Sequence, residues 1–112
     1  MDIEVRRQGD VAVITLRGRL TFNDQPRQLR DVVRAALDQG ARHVLLDLAA
    51  IRYIDSTRLG ELIGAHVSVT RQGGRLRLVK TPARILELLA IAGLDGIFER
   101  FDSIDAALDS LR

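Results

Sequence analysis

The sequence has no cysteine and few aromatic residues, and both scarcities exclude classes of function. Without cysteine there is no disulfide, no thiolate nucleophile and no cysteine-ligated metal. Aromatic residues make up 4% of the chain, and its basic residues are scattered. A nucleic-acid interface combines a concentrated basic face with stacking aromatics. We therefore expect no nucleic-acid binding.

Long apolar runs and a strong charge of one sign are also missing. No stretch approaches the roughly 20 apolar residues that span a bilayer, and the first residues lack the basic-then-apolar order of a signal peptide. We expect a cytoplasmic protein without membrane insertion. With 17 basic and 15 acidic residues the net charge is +2. What remains is a globular composition, 46% hydrophobic and 29% charged, and 112 residues, which predict one domain over 1–112.

The apolar residues alternate between strand-like and helix-like spacing. Predicted strands cover residues 3–5, 11–16, 43–48, 76–79 and 97–98, and predicted helices cover 26–39, 55–72, 82–92 and 103–111. The order ββαβαβαβα requires crossover connections. It predicts an α/β fold in which about four helices pack on a mixed, mostly parallel sheet.

The predicted loop at 49–54 follows the central strand and leads into the second helix. In such sheets ligands and partners bind beyond the carboxyl ends of the strands, so the segment 49–57, which contains this loop and the helix start, is the leading candidate site. Helical periodicity predicts that one side of the second helix faces the sheet, with Leu59, Leu62, Ile63 and Val67. The other side is predicted to lie outward and to form a docking face, with Arg58, Glu61 and Ala65.

Asp55, Ser56 and Thr57 place a carboxylate and two hydroxyls at the start of that helix. Capping of the helix alone explains such a run. The same place also tolerates a phosphate on Ser56 or Thr57, because unpaired backbone N–H groups and the helix dipole favour negative charge there. A cap and a modification site are therefore both consistent with the run.

Several segments together resemble the STAS domain family. The main one is a buried strand at 44–48 followed by Asp55-Ser56-Thr57-Arg58-Leu59-Gly60 at a helix start. Gly18-Arg19-Leu20 after the second strand, Gly73-Gly74, and the segments 91–94 and 97–98 extend the resemblance over nearly the whole chain. It is specifically similar to anti-sigma factor antagonists of this family.

The resemblance implies a single STAS-type domain that acts as a non-enzymatic protein switch. Its partners would be an anti-sigma factor that is also a serine/threonine kinase, and a PP2C-like phosphatase. Phosphorylation would fall on Thr57, with Ser56 the alternative, and would release the partner. No catalytic residue, cofactor or metal is implied.

Two residues depart from the family pattern. Arg58 stands where the family has glycine, and Thr21 stands where it has an acidic residue, for which Asp24 is a substitute unless it caps the first helix. An arginine beside Thr57 could hinder a kinase or pair with the phosphate, and Arg58→Gly is expected to leave the fold intact. The predicted partner-binding residues are Asp55, Ser56, Thr57, Arg58, Glu61, Thr21 and Asp24.

Two other classes of function remain open. One is a constitutive STAS accessory or scaffold subunit, of a signalling complex or a lipid-transport ABC system, without a regulated phosphosite. The other is a nucleotide-binding or small-molecule enzyme built on the same loop. Asp47 and Asp55 flank the loop like an acid/base pair, but Asp47 is predicted within the strand and Asp55 at the helix cap. The missing phosphate-loop glycines and nucleophile disfavour the enzyme. His43 and His66 are interpreted as structural or exposed, and Gly60 and Gly64 as allowing close packing.

Overall fold

The computed structural model describes residues 2–20 and 29–112, and the side chains of Arg19 and Leu20 are outside that description. Its elements follow the predicted order ββαβαβαβα. The strands are β1 (Asp2–Gln8), β2 (Val11–Leu20), β3 (His43–Ile54), β4 (Leu76–Val79) and β5 (Glu99–Phe101). The helices are α1 (Leu29–Asp38), α2 (Ser56–Arg71), α3 (Ala83–Ile91) and α4 (Ile104–Asp109).

The strands form one five-stranded sheet in the order β1-β2-β3-β4-β5. The β1–β2 hairpin is antiparallel, and all other neighbouring pairs are parallel. This confirms the predicted mixed, mostly parallel α/β sheet. β3 lies in the middle of the sheet, so the segment that follows it leaves from the centre of the carboxyl edge.

The sheet buries a different cluster on each face. Ile14 and Leu46 belong to the larger cluster, which includes the buried residues of α1, α2 and α3. Val13 and Leu45, next to them along the same strands, belong to a smaller cluster with Ala107 of α4. Because successive side chains of a strand point to opposite faces, three helices lie on one face and α4 on the other. The prediction that both faces of 43–48 are covered is confirmed.

The prediction of a loop at 49–54 is wrong, because β3 continues to Ile54. The extension pairs with β2 alone, in the registers Gly18↔Ile51 and Leu20↔Ile54, while β4 pairs only with 44–47. A two-stranded extension does not have to bury both of its faces. Its exposed residues Ala49, Ala50 and Arg52 therefore gave a sequence pattern typical of a loop. Gly18 has φ 97° at a register shift of β2.

The last strand starts later than predicted, and the start of the first helix is not described. β5 begins at Glu99 instead of residue 97, and Phe98 is buried just before it, with its ring steeply inclined to that of His66. The predicted start of the first helix at Pro26 lies outside the described residues.

The predicted orientation of α2 is partly wrong. Its buried side carries Arg58, Leu62, Ala65 and Val69. Arg58 and Ala65 were predicted to lie outward, but they are 1% and 2% exposed, while the predicted core residue Val67 is 42% exposed. The prediction treated arginine as a surface residue, which rotated the expected buried stripe toward the neighbouring apolar positions. Leu59 and Ile63 are half-buried against the core, as predicted.

Candidate functional site

The start of α2 and the ends of β2 and β3 meet at one corner of the sheet. Leu20 pairs with Ile54, the residue before Asp55, so the chain leaves β2 directly beside the start of α2. Thr21 and Asp24, both predicted to contact a partner, follow this point and lie outside the described residues. Because β4 pairs with β3 only as far as Asp47 and β3 continues to Ile54, the start of α2 lies beyond the end of β4.

Asp55 caps α2. Its backbone is extended (φ −91°, ψ 175°), and its Oδ1 accepts a 2.9 Å hydrogen bond from the backbone N–H of Arg58. This is the usual N-cap arrangement, in which a side-chain oxygen satisfies an N–H of the first turn. The predicted cap is confirmed, and it fixes the direction of the two residues that follow.

Ser56 and Thr57 are both exposed in the first turn of α2. Besides Asp55 at the cap, α2 has no acidic residue in its first turn. Both hydroxyls are therefore within reach of a partner protein, in a place where the helix dipole stabilises added negative charge.

Arg58 lies beneath the helix start and does not form part of the exposed surface. Its Nη1 donates to both carboxylate oxygens of Glu61, at 2.6 and 2.7 Å. The Glu61 side chain is itself only 14% exposed. A buried arginine of this kind holds its carboxylate partner in place, so its direct contact with another protein would require the helix start to open.

A groove of about 510 Å³ runs between α1 and α2. We call it the α1–α2 groove; its lining includes Arg30, Val33 and Arg34 from α1, and Thr57, Gly60 and Gly64 from α2. A Cβ added to Gly60 or Gly64 would meet no atom within 4 Å. The prediction that these glycines allow close packing is therefore wrong, and they widen the groove.

The remaining candidates are structural in the described part of the chain. Asp47 accepts a 3.1 Å hydrogen bond from the backbone N–H of Ala49, and Asp55 bonds to that of Arg58. Because β3 extends between them, the two carboxylates are roughly 20 Å or more apart, too far for an acid/base pair. The Nδ1 atom of His43 accepts from the backbone N–H of Arg75 at 3.0 Å.

Within residues 2–20 and 29–112, no three His, Asp or Glu side chains are grouped so that they could hold a metal ion. In the same part of the chain, each helix is too short or too polar to cross a bilayer.

Sequence reasoning missed the residues that α1 contributes to the groove. Arg30 and Arg34 are exposed, and neither side chain forms an ion pair or hydrogen bond with the described residues. Two consecutive right-handed crossovers place α1 beside α2 on the same face of the sheet. That topological rule is the signal that could have found them.

Comparison with known proteins gives a consistent result. A family model described as STAS domain matches residues 2–107. The chain is 25% identical over 116 residues to the anti-sigma F factor antagonist of Paenibacillus polymyxa, covering 99% of this chain and 95% of that protein. It is 28% identical over 99 residues to the anti-sigma-B factor antagonist of Bacillus subtilis strain 168, covering 88% and 89%.

The fold is also similar to solved structures of the anti-sigma factor antagonist SpoIIAA. For the unphosphorylated form the TM-score is 0.82 at 20% identity, covering 99% of this chain and 96% of that chain. For the phosphorylated form, from Bacillus, the TM-score is 0.75 at 20% identity, covering 99% and 100%. At this identity the likeness shows the fold alone.

Proposed function

Because the chain belongs to the STAS domain family, we propose that it is an anti-sigma factor antagonist, a cytoplasmic and non-enzymatic switch controlled by phosphorylation of Thr57. The observation that carries the proposal is the exposed hydroxyl of Thr57 on the first turn of a capped helix. Curated relatives over nearly the whole chain are named anti-sigma factor antagonists, which supports the same role.

In the unmodified state, the surface around Ser56 and Thr57 binds a kinase-type anti-sigma factor and so frees a sigma factor. Asp55 orients this surface through its cap, and Glu61 is held by Arg58. Arg58 acts through the helix and not by direct contact, since it is 1% exposed. Thr21 and Asp24 remain proposed contacts at the end of β2.

The switch turns off when the kinase transfers the terminal phosphoryl group of ATP to Thr57 Oγ1, with loss of the hydroxyl proton and release of ADP. The phosphate adds a charge of about −1.5 to −2 at neutral pH. Burying that charge in an interface costs desolvation energy, so the complex dissociates. A PP2C-like phosphatase hydrolyses the phosphate and restores binding.

We predict that Thr57→Ala binds the anti-sigma factor whether or not kinase and ATP are present, because no hydroxyl remains at position 57. Thr57→Glu should weaken binding at least about tenfold, or about 1.4 kcal/mol. The partner is first captured with unmodified protein and identified. Its dissociation constant is then measured by calorimetry for both variants and for the wild type.

Thr70→Ala is the matched control, since it removes an exposed threonine hydroxyl of α2 far from the helix start and should keep both binding and its loss on phosphorylation. Mapping the phosphate to Ser56 alone would move the switch by one residue. Undiminished binding by Thr57→Glu, with no phosphate on either residue, would contradict the proposal. That outcome would favour a constitutive accessory or scaffold subunit.

A further inference from the structure

Phosphorylation of Thr57 would place a second anion beside the Asp55 carboxylate, which already occupies the cap of α2. Two neighbouring anions repel each other, so a nearby cation would be needed to bind the phosphate tightly. Arg58 is adjacent in sequence, but it is buried and bonded to Glu61. The cation must therefore come from another element.

The α1–α2 groove supplies three arginines, Arg30, Arg34 and Arg71. All three are exposed, and none forms an ion pair or side-chain hydrogen bond with the described part of the chain. Glu61, an acidic residue of the same groove, is neutralised by Arg58. Its carboxylate therefore does not compete strongly for the other arginines. Asp38, the other acidic residue of the lining, lies eight residues beyond Arg30, about 12 Å along the axis of α1.

The topology selects one of the three. β2, β3 and β4 are parallel, so α1 and α2, which connect them, run in the same direction. Arg30 lies one turn nearer than Arg34 to the end of the groove at which Thr57 stands. Helical side chains also lean toward the N-terminus of their helix, which is the Thr57 end. Arg71 is fourteen residues beyond Thr57, about 21 Å along the axis of α2.

We propose that the phosphate on Thr57 is bound within the molecule by Arg30, so that phosphorylation ties α1 to α2 across the mouth of their groove. This inference rests on the proposed function, because it concerns the modified form of the same residue. The guanidinium of Arg30 forms charge-assisted hydrogen bonds to the phosphate oxygens, and it can do so with two parallel N–H donors. The modified surface is then a different shape as well as a different charge.

The experiment uses the full chain with phosphothreonine encoded at position 57, so that it needs neither the kinase nor the partner. The phosphorus NMR signal is titrated with pH in the wild-type background, in Arg30→Gln and in Arg71→Gln. An unperturbed phosphate has its second pKa near about 6. With Arg30 present we expect a pKa lower by roughly one unit, the smaller end of the effect of an arginine beside an anion.

Arg30→Gln should raise the phosphate pKa by roughly one unit relative to the wild-type background, while Arg71→Gln, which removes the same charge from the far end of the same groove, should keep it low. Arg30→Lys should restore part of the shift, because it keeps the charge and loses the paired donors. Equal pKa values with and without Arg30, or equal effects of the Arg30 and Arg71 substitutions, would overturn the proposal.

The two proposals fail in different measurements. Binding of the anti-sigma factor by the phosphothreonine protein tests the switch itself. The phosphate titration tests only the bridge from α1. A phosphate that abolishes binding but has the same pKa in every variant would support the switch and exclude the role of Arg30.

Discussion

At the scale of single residues, Arg58 is the clearest departure from what the sequence suggests. Its position beside Thr57 resembles a surface position, yet its side chain is 1% exposed and pairs with Glu61. A buried charge is tolerated when a partner and hydrogen bonds compensate it. Arg58 is therefore a structural part of the α2 start, and the expectation that Arg58→Gly leaves the fold intact is withdrawn.

We predict that Arg58→Ala lowers the free energy of unfolding by about 3 kcal/mol, because removing one partner leaves the Glu61 carboxylate half-buried and unpaired. Urea denaturation measures the change. Arg84→Ala, which truncates an exposed arginine of α3, is the matched control and should stay within about 0.5 kcal/mol of the wild type. The double variant Arg58→Ala/Glu61→Ala should lose less than the sum of its two single variants. Strict additivity would show that the pair contributes no coupling.

His43 should make stability depend on pH. Burial lowers the pKa of His43; Asp10 opposes this effect, and the nearby Arg42, Arg75 and Arg77 add to it. In the unfolded chain its pKa is near about 6.5. As the pH falls below that value, the unfolded chain takes up a proton more readily than the folded one, so the free energy of unfolding decreases.

The urea midpoint at pH 7.5 should therefore exceed that at pH 5.5, and His43→Asn should reduce the difference. The amide oxygen of asparagine can still accept from the backbone N–H of Arg75, but it does not titrate. The hypothesis fails if His43→Asn and the wild type lose the same stability on acidification.

At the scale of elements, α2 carries two glycines in its interior without a packing reason inside the described structure. Glycine in a helix interior costs about 1 kcal/mol relative to alanine. Since a Cβ at Gly60 or Gly64 would meet no atom within 4 Å, the alanine has room. The two glycines therefore lower the stability of α2 on the side that faces the groove.

We predict that Gly64→Ala raises the melting temperature, with a gain of at most about 1 kcal/mol. Gly74→Ala is the opposite control, because its Cβ would collide with the backbone carbonyl of Arg42 and should destabilise the protein. Both are measured by thermal unfolding followed by circular dichroism. A lower melting temperature for Gly64→Ala would mean that the groove is narrower in solution.

The elements also show which parts of the structure were predictable from sequence. Strand β4 and the Asp55 cap follow from short patterns: the run Leu76-Arg77-Leu78-Val79 after a glycine pair, and an acidic residue before a helix. The β3 extension was missed because its pairing depends on the distant Gly18 register. The buried side of α2 was predicted in the wrong orientation because burial of Arg58 depends on its ion pair with Glu61, and hydrophobic periodicity carries no information on ion pairs.

At the scale of the whole molecule, the site depends on several elements that are distant in sequence. β2 and β3 bring the α2 start to one corner, and the parallel crossovers set α1 beside it. The exposed hydroxyls could be located from local sequence. Arg30 could not, because its place in the groove exists only once the sheet is assembled.

The five strands lie in the sheet in the same order as in the chain, and this affects how the protein can fold during synthesis on the ribosome. Each new strand can add to the edge of a sheet that has already formed, which keeps the loops to be closed short. The second face of the sheet is different, because the helix that packs on Val13 and Leu45, among the residues that the structure describes, is α4, the last to emerge. A nascent chain that stalls before residue 104 therefore lacks the cover that α4 gives these apolar residues, which favours aggregation or chaperone binding until the final helix docks.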